Sequence, residues 1–153
     1  MKLNYLFIPL IVIAVAILGN VFSNTASMLW YDALIKPGLT PADWAFPLAW
    51  TTIFFLSAAA AILAYNRSLG SLRVVIVALF LVNAVLNVLW SLLFFRLHLI
   101  GPAFMEILLL EASVIMLITV IWRVSKTASW LLAPYAVWVA FAAYLTFEIM
   151  RFN

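Results

Sequence analysis

Leu72–Phe95 reads LRVVIVALFLVNAVLNVLWSLLFF, 24 residues with a single charge, Arg73, one position from the start. As a helix rising about 1.5 Å per residue it is about 36 Å long, more than the roughly 30 Å of a bilayer's hydrocarbon core. Four more stretches have the same character: Leu3–Phe22, Trp44–Tyr65, Pro102–Trp122 and Trp130–Ile149. A transmembrane β-barrel would show alternating segments of about 10 residues, whereas these runs are continuous and rich in Ala and Leu. Across the chain 69% of residues are hydrophobic and 8% charged, against about 25% charged in a soluble domain. The sequence thus predicts an all-α integral membrane bundle of five transmembrane helices, forming one domain over residues 1–153.

Charge and composition narrow the function classes. The net charge of +3 comes from basic residues scattered singly over the connections, as headgroup anchors are, so no nucleic-acid partner is expected. Cysteine is absent, which removes disulfide and thiolate chemistry, and His98 stands alone, so no metal site is expected. The first apolar run is longer than the 7–15 residues, roughly, of a signal peptide's core, so no cleaved leader is expected. Five spans put the ends of the chain on opposite sides. Lys2, Arg67, Arg73, Arg123 and Lys126 fall on one side, and Lys36, Arg96 and Arg151 on the other. Because basic residues accumulate in the cytoplasm, this predicts a cytoplasmic N-terminus in a bacterial-type inner membrane.

Three connections are short, but Ser23–Asp43 is long and holds Trp30, Tyr31, Pro37 and Pro41. Long loops in compact domains are usually functional or disordered, and the aromatics and prolines predict an ordered one. Antiparallel threading converts sequence position into depth below the face bearing this loop. Trp50 lies about 9 Å down, Ala142 about 10 Å, Asn87 about 12 Å and Trp138 about 16 Å. Asn83, Asn87 and Ser91 share one face of their helix, as do Tyr135, Trp138, Ala142 and Leu145 of theirs. Each has an ordinary alternative. A buried tryptophan is most often packing, and the asparagines can serve interhelical hydrogen bonds worth about 0.6 kcal/mol each. Glu106 and Glu111 are about 140° apart around their helix and form no paired-carboxylate site. The pattern alone points to an aromatic-lined pocket under a lid.

The order of motifs adds to this. Trp30-Tyr31-Asp32-Ala33-Leu34-Ile35-Lys36-Pro37, then Pro41, then Trp44-Ala45-Phe46-Pro47-Leu48-Ala49-Trp50-Thr51 resembles the tryptophan-rich sensory protein/translocator protein family, also called the peripheral-type benzodiazepine receptor. Asn83 through Asn87 to Trp90-Ser91, Phe94-Phe95, and Trp130 through Tyr135 to Trp138, Ala142 and Leu145 continue the match across nearly the whole chain. The resemblance implies a five-helix bundle whose first loop closes a pocket. Family members bind protoporphyrin IX, haem and benzodiazepine-type ligands, and some bind cholesterol. By position it implies ligand contacts at Tyr31, Pro41, Trp50, Asn87, Trp90, Trp138, Ala142 and Leu145. It also links Trp50 and Trp138 to light-dependent porphyrin breakdown, if that reaction occurs. Gly38, Ala42 and Phe54 depart from residues frequent in the family. The sterol pattern fails by one residue, since six separate Tyr144 from Arg151 where it allows about five at most; cholesterol is not an expected partner.

Three functions compete. The first is a receptor-like or transporter-like protein that binds tetrapyrroles and requires no cofactor of its own. The second is an enzyme that degrades porphyrin with light or oxygen. The third is a membrane scaffold, for which Ser57, Ala60, Ala61 and Ala64 permit close helix packing. A homodimer within the lipid bilayer is expected.

Overall fold

The computed structural model describes residues 3–153. Lys2, counted in the charge balance above, lies outside them. In chain order the helices are α1 (Asn4–Phe22), α2 (Thr25–Ala33), α3 (Ala45–Arg67), α4 (Gly70–Ser91), α5 (Ile100–Trp122) and α6 (Lys126–Phe152). All except α2 are long and apolar enough to cross a membrane. No strand occurs among the described residues. The protein is an integral, multi-pass helical membrane protein.

Local chemistry sets the boundaries. Asn24 ends the first apolar run and caps α2, its side chain accepting from the Ser27 amide at 3.1 Å. This satisfies one of the donors that every helix start leaves open. Ser125 likewise caps α6 by accepting from the Ala128 amide at 3.2 Å. Arg67 donates to the same hydroxyl at 2.7 Å, so α6 begins one turn before the apolar run and is tied to the end of α3. Gly70 takes φ 55° where the chain turns from α3 into α4, a conformation a side chain would strain. Beyond Ser91, α4 widens into a π-helical turn over Leu92–Arg96, marked by the Leu97 amide bonding the Leu92 carbonyl at 2.9 Å.

α1 packs on α3 and α4, α3 on α6, α6 on α5, and α5 on α4, which closes a ring of five. The tightest seam joins α5 and α6, where Leu110, Val114, Leu117, Leu132 and Val139 are wholly buried. α1 contributes no buried residue, yet Leu10, Ile13 and Ile17 are apolar and exposed on it. Lipid is the solvent that tolerates such a surface. Ser57, Ala60, Ala61 and Ala64 are all buried inside the bundle. The small-residue stripe is therefore used within one chain, and any contact between two copies falls on another face.

Candidate functional site

The first connection folds down as a cover. α2 rests on the π-helical turn, and aromatic contacts hold it there. Trp30 stacks on His98 with ring centres 4.1 Å apart. Tyr31 meets Phe94 and Phe95 edge-on at 6.1 and 6.0 Å. Within the cover itself, Lys36 pairs with Asp32 at 2.9 Å and lies 4.3 Å from the centre of the Tyr31 ring. The π turn carries the consecutive Phe94 and Phe95, and both meet Tyr31 of the cover. Such turns recur at functional sites.

Beneath the cover is a cavity of about 550 Å³ walled by α1, α2, α3, α4 and α6. Most of the wall is apolar, with Trp50, Phe54, Trp90, Phe94 and Phe95 supplying ring surface. Trp50 and Phe54 stack at 5.7 Å, and Trp90 and Phe94 at 5.3 Å. The Trp90 indole N–H is buried with no acceptor among the described residues, so this residue offers the cavity its ring and not its donor.

Asn87 is positioned by a relay across three helices. Its side-chain amide donates to the Tyr135 hydroxyl at 3.0 Å, and that hydroxyl donates to Asn83 Oδ1 at 3.1 Å. Asn83 Nδ2 donates to Ser113 Oγ at 2.8 Å, and Ser113 donates to the Leu110 carbonyl at 2.7 Å. One N–H of Asn87 is thereby committed to the bundle, while the residue itself stands in the cavity wall. The polar stripe on α4 thus joins helices through both Asn83 and Asn87, and Asn87 also stands in the cavity wall.

Of the eight residues picked out by sequence, Tyr31, Trp50, Asn87, Trp90, Ala142 and Leu145 line this one cavity. Pro41 and Trp138 do not. Pro41 follows a tight turn in which Thr40 bonds the Pro37 carbonyl. Trp138 meets Phe46 edge-on at 5.8 Å; Phe46 lines the cavity, and the outer side of Trp138 joins Trp130, Pro134 and Val137 in an open groove on α6. Depth counting groups these residues in one layer but cannot tell which ring lines the cavity. α5 contributes no residue to the wall, so Glu106 and Glu111 lie outside the site. Glu106 is buried with neither carboxyl oxygen bonded among the described residues.

Sequence reasoning missed several wall residues, among them Asn20, Ser23, Asp43, Phe46 and Thr146. Asn20 and Ser23 carried a usable signal, as polar residues three apart at the end of an otherwise apolar run. Asp43 ends the long connection and carries no such signal. It is exposed, at the point where the cover leads into α3. Together with burial, which acts first, and with Asp32, it raises the Tyr31 hydroxyl from its ordinary pKa to about 12.

These features define a class: a five-span helical membrane protein with an aromatic cavity covered by its first loop. The chain belongs to the TspO/MBR family, whose sequence profile matches residues 7–151. It is 36% identical to the tryptophan-rich protein TspO of Chlorobaculum tepidum, covering 92% of this chain and 90% of that one. Protein CrtK of Rhodobacter capsulatus is 33% identical over 88% of this chain and 83% of its own. The human translocator protein is 28% identical over 88% and 81% respectively.

Proposed function

We propose that this protein binds tetrapyrroles, protoporphyrin IX and haem among them, and related hydrophobic ligands, as a receptor or transporter. The observation that carries the proposal is the covered cavity of about 550 Å³ walled by the Trp50 and Trp90 rings with Asn87 beside them. Ligand pockets run to roughly 300–1,000 Å³, mostly apolar with a few placed polar groups. A flat macrocycle stacks on indole faces, each aromatic pair adding about 0.5–1.5 kcal/mol beyond burial. The uncommitted atoms of the Asn87 amide fix its orientation. The site needs no cofactor. Membership of the TspO/MBR family supports the same reading.

In this proposal the protein sits in a bacterial-type inner membrane with its N-terminus in the cytoplasm, following the charge asymmetry of its connections. It acts as a homodimer through a lipid-facing surface. The test is a titration of the purified protein with protoporphyrin IX, in darkness and in light. Saturable quenching of indole fluorescence that is lost when Trp50 and Trp90 are both replaced by Phe supports it. Quenching that never saturates, or that the double replacement leaves unchanged, overturns it. A chemically altered porphyrin in the light arm alone would favour the degradative enzyme.

A further inference from the structure

The cavity wall carries one formal charge. Among the described residues that line it, Asp43 is the only acid, and no lysine, arginine or histidine joins it. Nor does a neighbouring cation compensate. Lys36, the basic residue of the cover, is held by Asp32 at 2.9 Å, and Asp43 forms no ion pair among the described residues. The location of this charge matters as much as its sign. Asp43 is exposed at the water end of the cavity, whereas Trp50, Asn87 and Trp90 stand deeper, on the spans.

A flat amphiphile in such a space has one reasonable orientation. Its ring goes inward to the indoles, and its polar substituents stay at the mouth, where they keep water. That end of the ligand is the end that meets Asp43. We propose that Asp43 sets the charge preference of the cavity, favouring ligands with a cationic or neutral polar end and disfavouring those with carboxylates at the entrance. This rests on the tetrapyrrole reading of the cavity and sharpens it. Within one macrocycle, substituent charge decides affinity.

Two observations support the reach of this field. The Tyr31 hydroxyl, in the same wall, is made a weaker acid partly by Asp43, so the carboxylate acts on the buried lining as well as on solvent. The apolar walls also confine the field to the opening, as clefts lined by one sign of charge do. The effect is moderate because Asp43 is solvated. Exposed charge pairs are worth little, so about three- to tenfold in affinity is expected at low salt.

The experiment uses the full chain in lipid nanodiscs and three porphyrins sharing one macrocycle. One carries two free propionates, one their methyl esters, and one cationic side arms. In Asp43→Asn the propionate ligand should bind about three- to tenfold tighter and the cationic ligand weaker by a similar factor, with the ester unchanged. Both shifts should shrink as salt is raised, since screening shortens to about 8 Å at physiological ionic strength. Asp43→Glu should keep the wild-type order and shows that the position tolerates change. Shifts of one sign for all three ligands, or no shift in either charged one, overturn the inference while leaving the cavity reading intact. If none of the three binds the wild type saturably, the cavity reading fails and this inference falls with it.

Discussion

Asn153 holds both backbone polar atoms of Ile35. Its Oδ1 accepts from the Ile35 amide at 3.0 Å, and its Nδ2 donates to the Ile35 carbonyl at 3.1 Å. A side-chain amide here does what a neighbouring strand would do, and it ties the end of the cover to the last turn of α6. The contact is exposed, so it contributes at the low end for hydrogen bonds, about 1 kcal/mol for the pair. Asn153→Ala should therefore speed ligand release roughly fivefold, by the relation between free energy and rate, with little change in thermal stability. Stopped-flow dissociation measures the first and a melting curve the second. Release at the wild-type rate would show that the strap does not govern the cover.

The Tyr135 relay makes a different prediction. Tyr135→Phe keeps the ring that packs edge-on against Trp50 at 6.3 Å but strands the Asn83 acceptor and the Asn87 donor. Unsatisfied buried groups cost about 1–3 kcal/mol, so the variant should melt lower. Asn87, released from α6, should also lose its fixed orientation, and affinity should fall with stability. A double replacement, Tyr135→Phe with Asn87→Leu, removes both partners and should recover part of the stability but none of the affinity. Full stability in the single variant would mean that the relay is dispensable.

What the sequence made legible follows from which physics is local. The spans follow from solvent, because a run such as Leu72–Phe95 has no soluble alternative, and the Asn83–Asn87 stripe follows from helical period. α2 was not legible, because it is one nine-residue helix in a polar connection whose main mark is the Asn24 cap. The π turn was equally hidden, since it depends on a hydrogen-bond shift at Leu97 and not on composition. Trp138 shows the limit of depth arguments, because the ring that intervenes, Phe46, comes from another helix. Ser57 and Ala60 show a similar limit: small residues announce close packing without saying whether the neighbour is the same chain.

Closure of the cover should depend on the ionisation of Tyr31. Burial, Asp43 and Asp32 raise its pKa from 10.0 to about 12, so the closed state holds the phenolic proton more tightly than an open one. The stabilisation is complete below pH 10 and is lost as pH rises toward 12. Limited proteolysis of the Ile35–Asp43 segment should accelerate across that window in the wild type. Tyr31→Phe, which cannot ionise, should remove the part of the acceleration that Tyr31 causes. Equal pH profiles in the two proteins would assign the opening to other groups.

The wall of the cavity can be mapped by four single replacements. Trp50 lines it, so Trp50→Phe removes indole area and should weaken porphyrin binding by about 0.5–1.5 kcal/mol, roughly two- to tenfold. Trp138 stands behind Phe46, so Trp138→Phe should change affinity less than Trp50→Phe does. Ala142 is buried and also faces the cavity, so a leucine there has open space to enter. Ala142→Leu should escape most of the roughly 1–3 kcal/mol that overpacking costs a filled core, keeping its melting temperature while losing ligand. Trp122 is exposed at the far end of α5, outside the wall, and Trp122→Phe is the control. Fluorescence titration with protoporphyrin IX ranks all four. Should Trp122→Phe weaken binding as much as Trp50→Phe, or Ala142→Leu bind like the wild type, the ligand occupies some other surface.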